Sequence, residues 1–164
     1  MKNKTFCPAP FMAISTDVSG SLRPCCKYVQ PHDQVEHKMP WMTDVTLNEA
    51  WNGPEFKKLR QAFIDGEKPN ECKSCWFEED TGIPSYREYF LKYSKKKLIN
   101  YKSVIADSPV YIDLKLSNVC NLKCRICSAT ASSLIQKEQA REYGIKGDIY
   151  WQQDKISGTY HEES

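Results

Sequence analysis

The sequence lacks the features that mark export or a membrane span. Its N-terminus has no apolar signal core, and no apolar run approaches the roughly 20 residues that cross a bilayer. Positive and negative charges are nearly balanced, because the chain has 23 Lys and Arg residues and 21 Asp and Glu residues, which gives a net charge of +2. We therefore expect a cytoplasmic protein with neither a membrane nor a nucleic acid as its partner.

Cysteine, by contrast, is abundant, with eight residues in a chain of 164. The even number allows a disulfide framework, but in a reducing compartment this density of thiols indicates metal binding. Zinc and iron–sulfur clusters both take thiolate ligands, so the cysteine content alone leaves both open.

Three cysteines, Cys120, Cys124 and Cys127, have the spacing Cys-x3-Cys-x2-Cys directly after residues 110–116, which we predict to form a buried strand. Three thiolates can hold three irons of a cluster and leave the fourth iron free to bind a small molecule. Structural zinc prefers paired Cys-x2-Cys motifs that supply four ligands, and no fourth cysteine stands nearby. A helix is predicted over residues 132–143, with Gly144 as its stop.

The other five cysteines lie in residues 1–80, which we expect to fold as one small unit. Residues 11–24 predict a β-hairpin that turns at Ser19 and Gly20. This hairpin would bring Cys7 and the adjacent pair Cys25 and Cys26 towards the same end.

Helices are predicted in the rest of this unit. One covers residues 46–51 with Thr46 as its cap, and another starts at Pro54 and runs to about residue 65. Three apolar side chains at helical spacing form its core-facing stripe: Phe56, Leu59 and Phe63. The unit closes on the Cys-x2-Cys pair Cys72 and Cys75, and we expect three tryptophans to pack around the metal site: Trp41, Trp51 and Trp76. A further helix over residues 84–93 would carry Tyr86, Tyr89, Phe90 and Tyr93 on one side.

The motif at residues 120–127 resembles the radical SAM superfamily, whose cysteine loop follows the first strand of a (β/α) barrel. The resemblance implies that Cys120, Cys124 and Cys127 hold a [4Fe-4S] cluster whose free iron chelates S-adenosyl-L-methionine (SAM). In that family an electron from the cluster cleaves SAM to a 5′-deoxyadenosyl radical, which abstracts hydrogen from a substrate. A peptide or small-molecule substrate and an electron donor such as flavodoxin or ferredoxin are implied as partners. Ile126 replaces the family's usual aromatic residue near the adenine and can supply apolar contact only.

Residues 5–80 resemble the SPASM or half-length "twitch" domain of the same enzymes. The resemblance rests on the cysteine pattern, on Arg23-Pro24-Cys25-Cys26 after the turn, and on the segment from Leu47 to Asn52. It implies an auxiliary [4Fe-4S] cluster, the second cluster of the chain, closed by Cys7, Cys25, Cys72 and Cys75. Cys26 is the alternative to Cys25. In those enzymes the auxiliary domain usually follows the barrel, whereas here it precedes the barrel motif.

We thus expect an α/β fold with an α+β N-terminal unit. Its parts are a β-hairpin-plus-helix cluster domain at 1–80, a helical connector at 81–109, and the first β-α unit of a radical SAM partial barrel at 110–164. A whole barrel needs about 200 residues or more, so we expect a truncated chain without a complete active site. The alternative is a non-catalytic zinc or iron–sulfur module that acts through a partner protein.

Overall fold

The computed structural model of the protein describes residues 4–18, 20–29, 39–95, 99–129 and 131–144. Two compact units divide the chain, Met1–Lys115 and Leu116–Ser164. The boundary between these two units falls inside the domain predicted at 110–164. The domain boundaries predicted at residues 80 and 109 stay predictions. Helices and one small mixed sheet form the described part, which confirms the predicted α/β class. None of the helices in these ranges is long and apolar enough to span a bilayer.

The first unit begins with a short helix and a hairpin and continues mainly as helices. Its elements are α1 (Ala9–Met12), β1 (Ala13–Thr16), β2 (Leu22–Arg23), α2 (Leu47–Trp51), α3 (Pro54–Asp65), a 3-10 turn (Asn70–Cys72), α4 (Lys73–Asp80), α5 (Tyr86–Ser94) and β3 (Tyr111–Asp113). The second unit contains α6 (Ser133–Glu142).

The predicted hairpin is present but its first strand is shorter than expected. β1 pairs antiparallel with β2, and the turn between them uses Gly20 at φ +91°, a conformation that costs glycine little. The expected strand residues Phe11 and Met12 instead end α1, because Pro10 lies in the first turn of that helix, where its fixed φ favours helical backbone.

The prediction of a buried strand over residues 110–116 is wrong in length and in burial. Only Tyr111–Asp113 forms β3, which pairs in parallel with β1 in the sheet order β2-β1-β3. Ile112 is 55% exposed and Leu116 is 77% exposed. Parallel strands are buried when helices cover both faces of their sheet. In the described part of the first unit β3 lies at the sheet edge, and it is covered mainly where Tyr111 meets the ring of Phe90, 5.4 Å away.

The helices of the first unit follow their sequence signals. Thr46 caps α2 in a capping box with Glu49, and α3 ends at Gly66 with φ +85°. The predicted stripe is confirmed, since all its side chains are fully buried: Phe56, Leu59 and Phe63. The aromatic side of α5 is confirmed as well, with Tyr86 and Tyr93 each stacked on Tyr89.

A buried arginine that the sequence reading did not single out joins these elements. Arg60 on α3 is completely buried, and its guanidinium donates to the backbone carbonyls of Pro10 at 2.7 Å and Trp51 at 2.7 Å. It also donates to Val104 O and Asn52 Oδ1, and it lies over the Trp51 ring at 4.4 Å. Burial lowers its pKa to about 10. The side chain therefore ties α1, the end of α2 and Val104 together.

The second unit contains the predicted helix. Ser132 caps α6, and Gly144 follows it at φ +65°, as expected for its stop. Residues 145–164 and residues 96–98 lie outside the described ranges.

We predict that Arg60→Met destabilises the protein by about 3 kcal/mol or more, because buried carbonyl groups lose their donor. Lys57→Met, at a partly exposed position of α3, is the matched control and should change the free energy of unfolding by about 0.5 kcal/mol or less. Urea unfolding followed by circular dichroism measures both. An equal loss of unfolding free energy in the two variants would contradict the structural role that we assign to Arg60.

Candidate metal centre

Four cysteines of the first unit come from three parts of the chain that the fold brings together. Cys7 stands just before α1, Cys25 follows β2, Cys72 ends the 3-10 turn and Cys75 lies in the first turn of α4. The hairpin of β1 and β2 brings the chain back from Cys7 to Cys25, as predicted. The amide of Val29 donates to the carbonyl of Glu71 at 2.9 Å, which holds the segment after Cys25 beside the one before Cys72.

These four side chains line one cavity that is partly open to solvent. The rest of its wall is mainly aromatic and cationic: Ala9, Lys27, Tyr28, Phe63, Trp76, Tyr86, Arg87 and Phe90. Among the described residues, no three Cys, His, Asp or Glu side chains converge closely enough to hold a single metal ion. The four thiols thus share one cavity without converging on a single point.

The fifth cysteine of this unit has a different environment. Cys25 lies on the cavity wall, whereas the side chain of Cys26 is exposed to solvent. All eight cysteines of the chain are described, and each is a free thiol. The structure thus brings together the same four cysteines that the sequence singled out as a set.

Burial keeps these thiols protonated. It raises the pKa of Cys25 to about 12, and it raises the pKa values of Cys7, Cys72 and Cys75 above the usual value of a thiol. The neighbouring sulfurs add to the effect, because each thiolate would repel the next. A metal cation removes this penalty, since thiolate is the form that binds metal.

Backbone amides act in the opposite direction. The amides of Lys27 and Tyr28 lower the pKa of Cys25, and those of Tyr86 and Arg87 lower the pKa of Cys75. The last two belong to the first turn of α5, where amides have no partner within the helix. The site thus offers thiolate donors and hydrogen bonds to sulfur, which suits a metal that prefers soft ligands.

Some residues of the wall were not predicted, and one prediction about the tryptophans is wrong. Trp76 lines the cavity as expected, but Trp51 packs on Arg60 and Trp41 pairs with Ser21. The ring of Trp51 contacts Phe56 and Arg60 of α3, and its indole donates to the carbonyl of Asp107, whereas the backbone of Trp41 bridges to Ser21 of the hairpin. Lys27 and Arg87 were missed, although Lys27 stands two positions after Cys25, and that proximity was an available signal.

The second unit presents the cysteine loop at residues 120–127. Cys124 is exposed, while Cys120 and Cys127 are half-buried. A tight turn closes the loop, with the amide of Cys127 donating to the carbonyl of Cys124 at 2.9 Å. Ile126 is fully exposed.

This loop is tied to the start of α6. The Cys120 amide donates to Ser133 Oγ at 3.3 Å, and Ser132 Oγ donates to the carbonyl of Leu122 at 3.0 Å. Asn118 is buried and donates to Gln136 Oε1 at 2.9 Å. The first part of the loop is thereby held by one helix, while the thiol of Cys124 is exposed.

A comparison with protein families matches the first unit. Residues 7–76 match the model of the SPASM iron-sulfur cluster-binding domain. The matched segment begins at the first cavity cysteine and ends one residue after the last. No curated protein and no solved structure matches the chain. The match supports the expected SPASM-type domain over these residues and iron–sulfur cluster binding by this unit.

We predict that the metal-free protein loses stability as the pH rises above about 8.5. The unfolded thiols then deprotonate, whereas the buried thiols, with raised pKa values, stay protonated. Stability is therefore complete below the pKa of the unfolded thiol and falls above it, with a slope that approaches 1.4 kcal/mol per pH unit for one thiol.

Thermal unfolding between pH 7.5 and 10, under reducing conditions and with a chelator, measures this slope. Cys25→Ser should make the slope shallower, and Cys26→Ser at the exposed neighbour should keep the slope of the parent. A melting temperature that does not change over this range would refute the prediction.

Proposed function

We propose that the chain belongs to a radical SAM enzyme and holds two [4Fe-4S] clusters with different functions. In this proposal the first unit binds an auxiliary cluster, and the loop at residues 120–127 binds the cluster that takes SAM. The observation that carries the first assignment is the single cavity whose wall contains four buried or half-buried thiols within a segment that matches an iron–sulfur domain.

The auxiliary cluster would be held by one thiolate for each of its four irons. These ligands are Cys7, Cys25, Cys72 and Cys75. Since all four irons have a protein ligand, none would be free to bind SAM. Cys26 faces solvent, so we assign the ligand to Cys25.

The arrangement of the four thiols favours a cluster over zinc. Four thiolates around zinc each lie about 2.3 Å from one point. A cluster spreads its ligands over four separate irons. The four thiols line one cavity, and no three described side chains converge on a single ion, which suits a cluster.

In the second unit, Cys120, Cys124 and Cys127 would hold three irons of the SAM-binding cluster. When bound, that cluster would supply one electron to SAM and so give methionine and a 5′-deoxyadenosyl radical for hydrogen abstraction from a peptide or small molecule. The hydrogen bonds from the loop to Ser132 and Ser133 would hold the thiolates in position. Ile126 would contribute apolar contact to the adenine, since its side chain is fully exposed.

A second candidate function, a non-catalytic module that docks to a partner protein, is favoured by the apolar residues left exposed. Ile112 on the edge strand β3 is exposed in the first unit, and Val119 and Leu122 are exposed in the second. SAM binding separates the two functions. An electron donor such as flavodoxin or ferredoxin, and residence in the cytoplasm, are parts of the enzyme proposal.

We predict about eight irons and eight sulfides per chain after anaerobic reconstitution, and about four of each in a Cys120→Ala, Cys124→Ala, Cys127→Ala variant. Cys25→Ala should lose the other cluster, and Cys26→Ala, the matched control, should keep both. SAM should change the electron paramagnetic resonance spectrum of the parent and of Cys25→Ala, but not that of the triple variant.

Stoichiometric zinc in place of iron would contradict the proposal for both sites. Iron content unchanged by the triple substitution, with no response to SAM, would leave the docking module as the function.

A further inference from the structure

A positive charge outside the segment that matches the SPASM domain lies on the wall of the cysteine cavity. Arg87 is the second residue of α5 and lines the same cavity as the four thiols. Its position, eleven residues beyond the end of the match at 76, means that the family comparison does not include it.

The guanidinium of Arg87 is held in place by contacts with the segments that carry two of the cysteines. It donates to the carbonyl of Phe6, next to Cys7, at 2.9 Å. It also lies 5.1 Å from the ring centre of Trp76, next to Cys75. Its Nε donates to Glu79 Oε1 at 2.8 Å, and a second nitrogen of the guanidinium pairs with Glu79 Oε2.

Each of two ion pairs has its cation on the wall of this cavity. Lys27 pairs with Glu78 at 2.6 Å, and Arg87 pairs with Glu79. Burial and the two carboxylates on α4 raise the pKa of Cys75, so these carboxylates offset part of each cation's charge.

The two cations differ in their exposure to solvent. The side chain of Lys27 is 44% exposed, whereas that of Arg87 is only 11% exposed. Charge–charge interactions are weakened by water and salt at exposed positions and are stronger where water is excluded. Arg87 should therefore act on a negatively charged group in the cavity much more strongly than Lys27 does.

We propose that Arg87 raises the reduction potential of the cluster in this cavity and that the functional metal centre extends into α5, beyond the matched domain. The inference rests on the proposed function, because it requires an iron–sulfur cluster at the four cysteines. A cluster with four thiolate ligands is negatively charged, and it gains one more negative charge when an external donor reduces it. A fixed cation stabilises the reduced form more than the oxidised form, and this difference raises the potential.

The α5 backbone acts in the same direction. The amides of Tyr86 and Arg87 approach the sulfur of Cys75, and hydrogen bonds to ligand sulfur also favour the reduced state. The side chain and the helix start thus place positive charge at one corner of the cavity. Substitution of the Arg87 side chain removes only the first of these two contributions.

The test is an anaerobic redox titration with dithionite as reductant, followed by electron paramagnetic resonance. It uses the full chain with Cys120→Ala, Cys124→Ala and Cys127→Ala, so that only one cluster contributes. We expect Arg87→Gln to shift the midpoint potential to a more negative value and Arg87→Lys to keep most of the parent's potential. Lys27→Gln, which removes the same charge at the exposed position, is the matched control and should give a clearly smaller shift.

A second variant tests the inference if Arg87→Gln does not hold iron. Glu79→Gln removes the charge that offsets Arg87 and leaves an amide oxygen as acceptor, so the potential should become more positive. Iron retained with an unchanged potential in Arg87→Gln, or no positive shift in Glu79→Gln, would overturn the inference alone. Zinc, or no iron, in the parent would overturn the proposed function together with it.

Discussion

Four thiols meet in a cavity walled largely by aromatic rings, and each is disfavoured there as the thiolate that a metal requires. They come from three parts of the chain, namely the residues just before α1, the end of the hairpin, and the 3-10 turn that runs directly into α4. A metal group that binds all four removes the cost of burying their charge and links these segments to one another. Metal binding and the stability of the first unit are therefore expected to be coupled.

Much of this arrangement could be predicted from local signals. Gly20 marked the hairpin turn, Thr46 marked the start of α2, and Gly66 marked the end of α3, because each satisfies a backbone requirement within a few residues. The resemblance to SPASM domains implied which thiols would form a set. Spacing alone left Cys25 and Cys26 open, since adjacent residues differ in direction only once the backbone is in place.

Other features depend on contacts between residues distant in the sequence, so no local pattern could show them. In the sequence, Arg60 looks like a solvent-exposed residue of an amphipathic helix. In the structure, its guanidinium donates to carbonyl groups that are 44 and 50 residues away in the sequence. Arg87 reads as one charge on the helix α5, and only the fold places it beside Cys75. The apolar run at 110–116 predicted burial, but burial of a strand depends on neighbours that its own sequence does not contain.

The central claim is that four thiols of the first unit hold a cluster of irons, and X-ray absorption tests it most directly. The sample is the reconstituted chain with Cys120→Ala, Cys124→Ala and Cys127→Ala. Our account predicts an iron edge whose fine structure contains a sulfur shell and, beyond it, a shell of neighbouring irons. A zinc edge with a single sulfur shell at about 2.3 Å would contradict the account and would indicate a structural zinc site at the same cysteines.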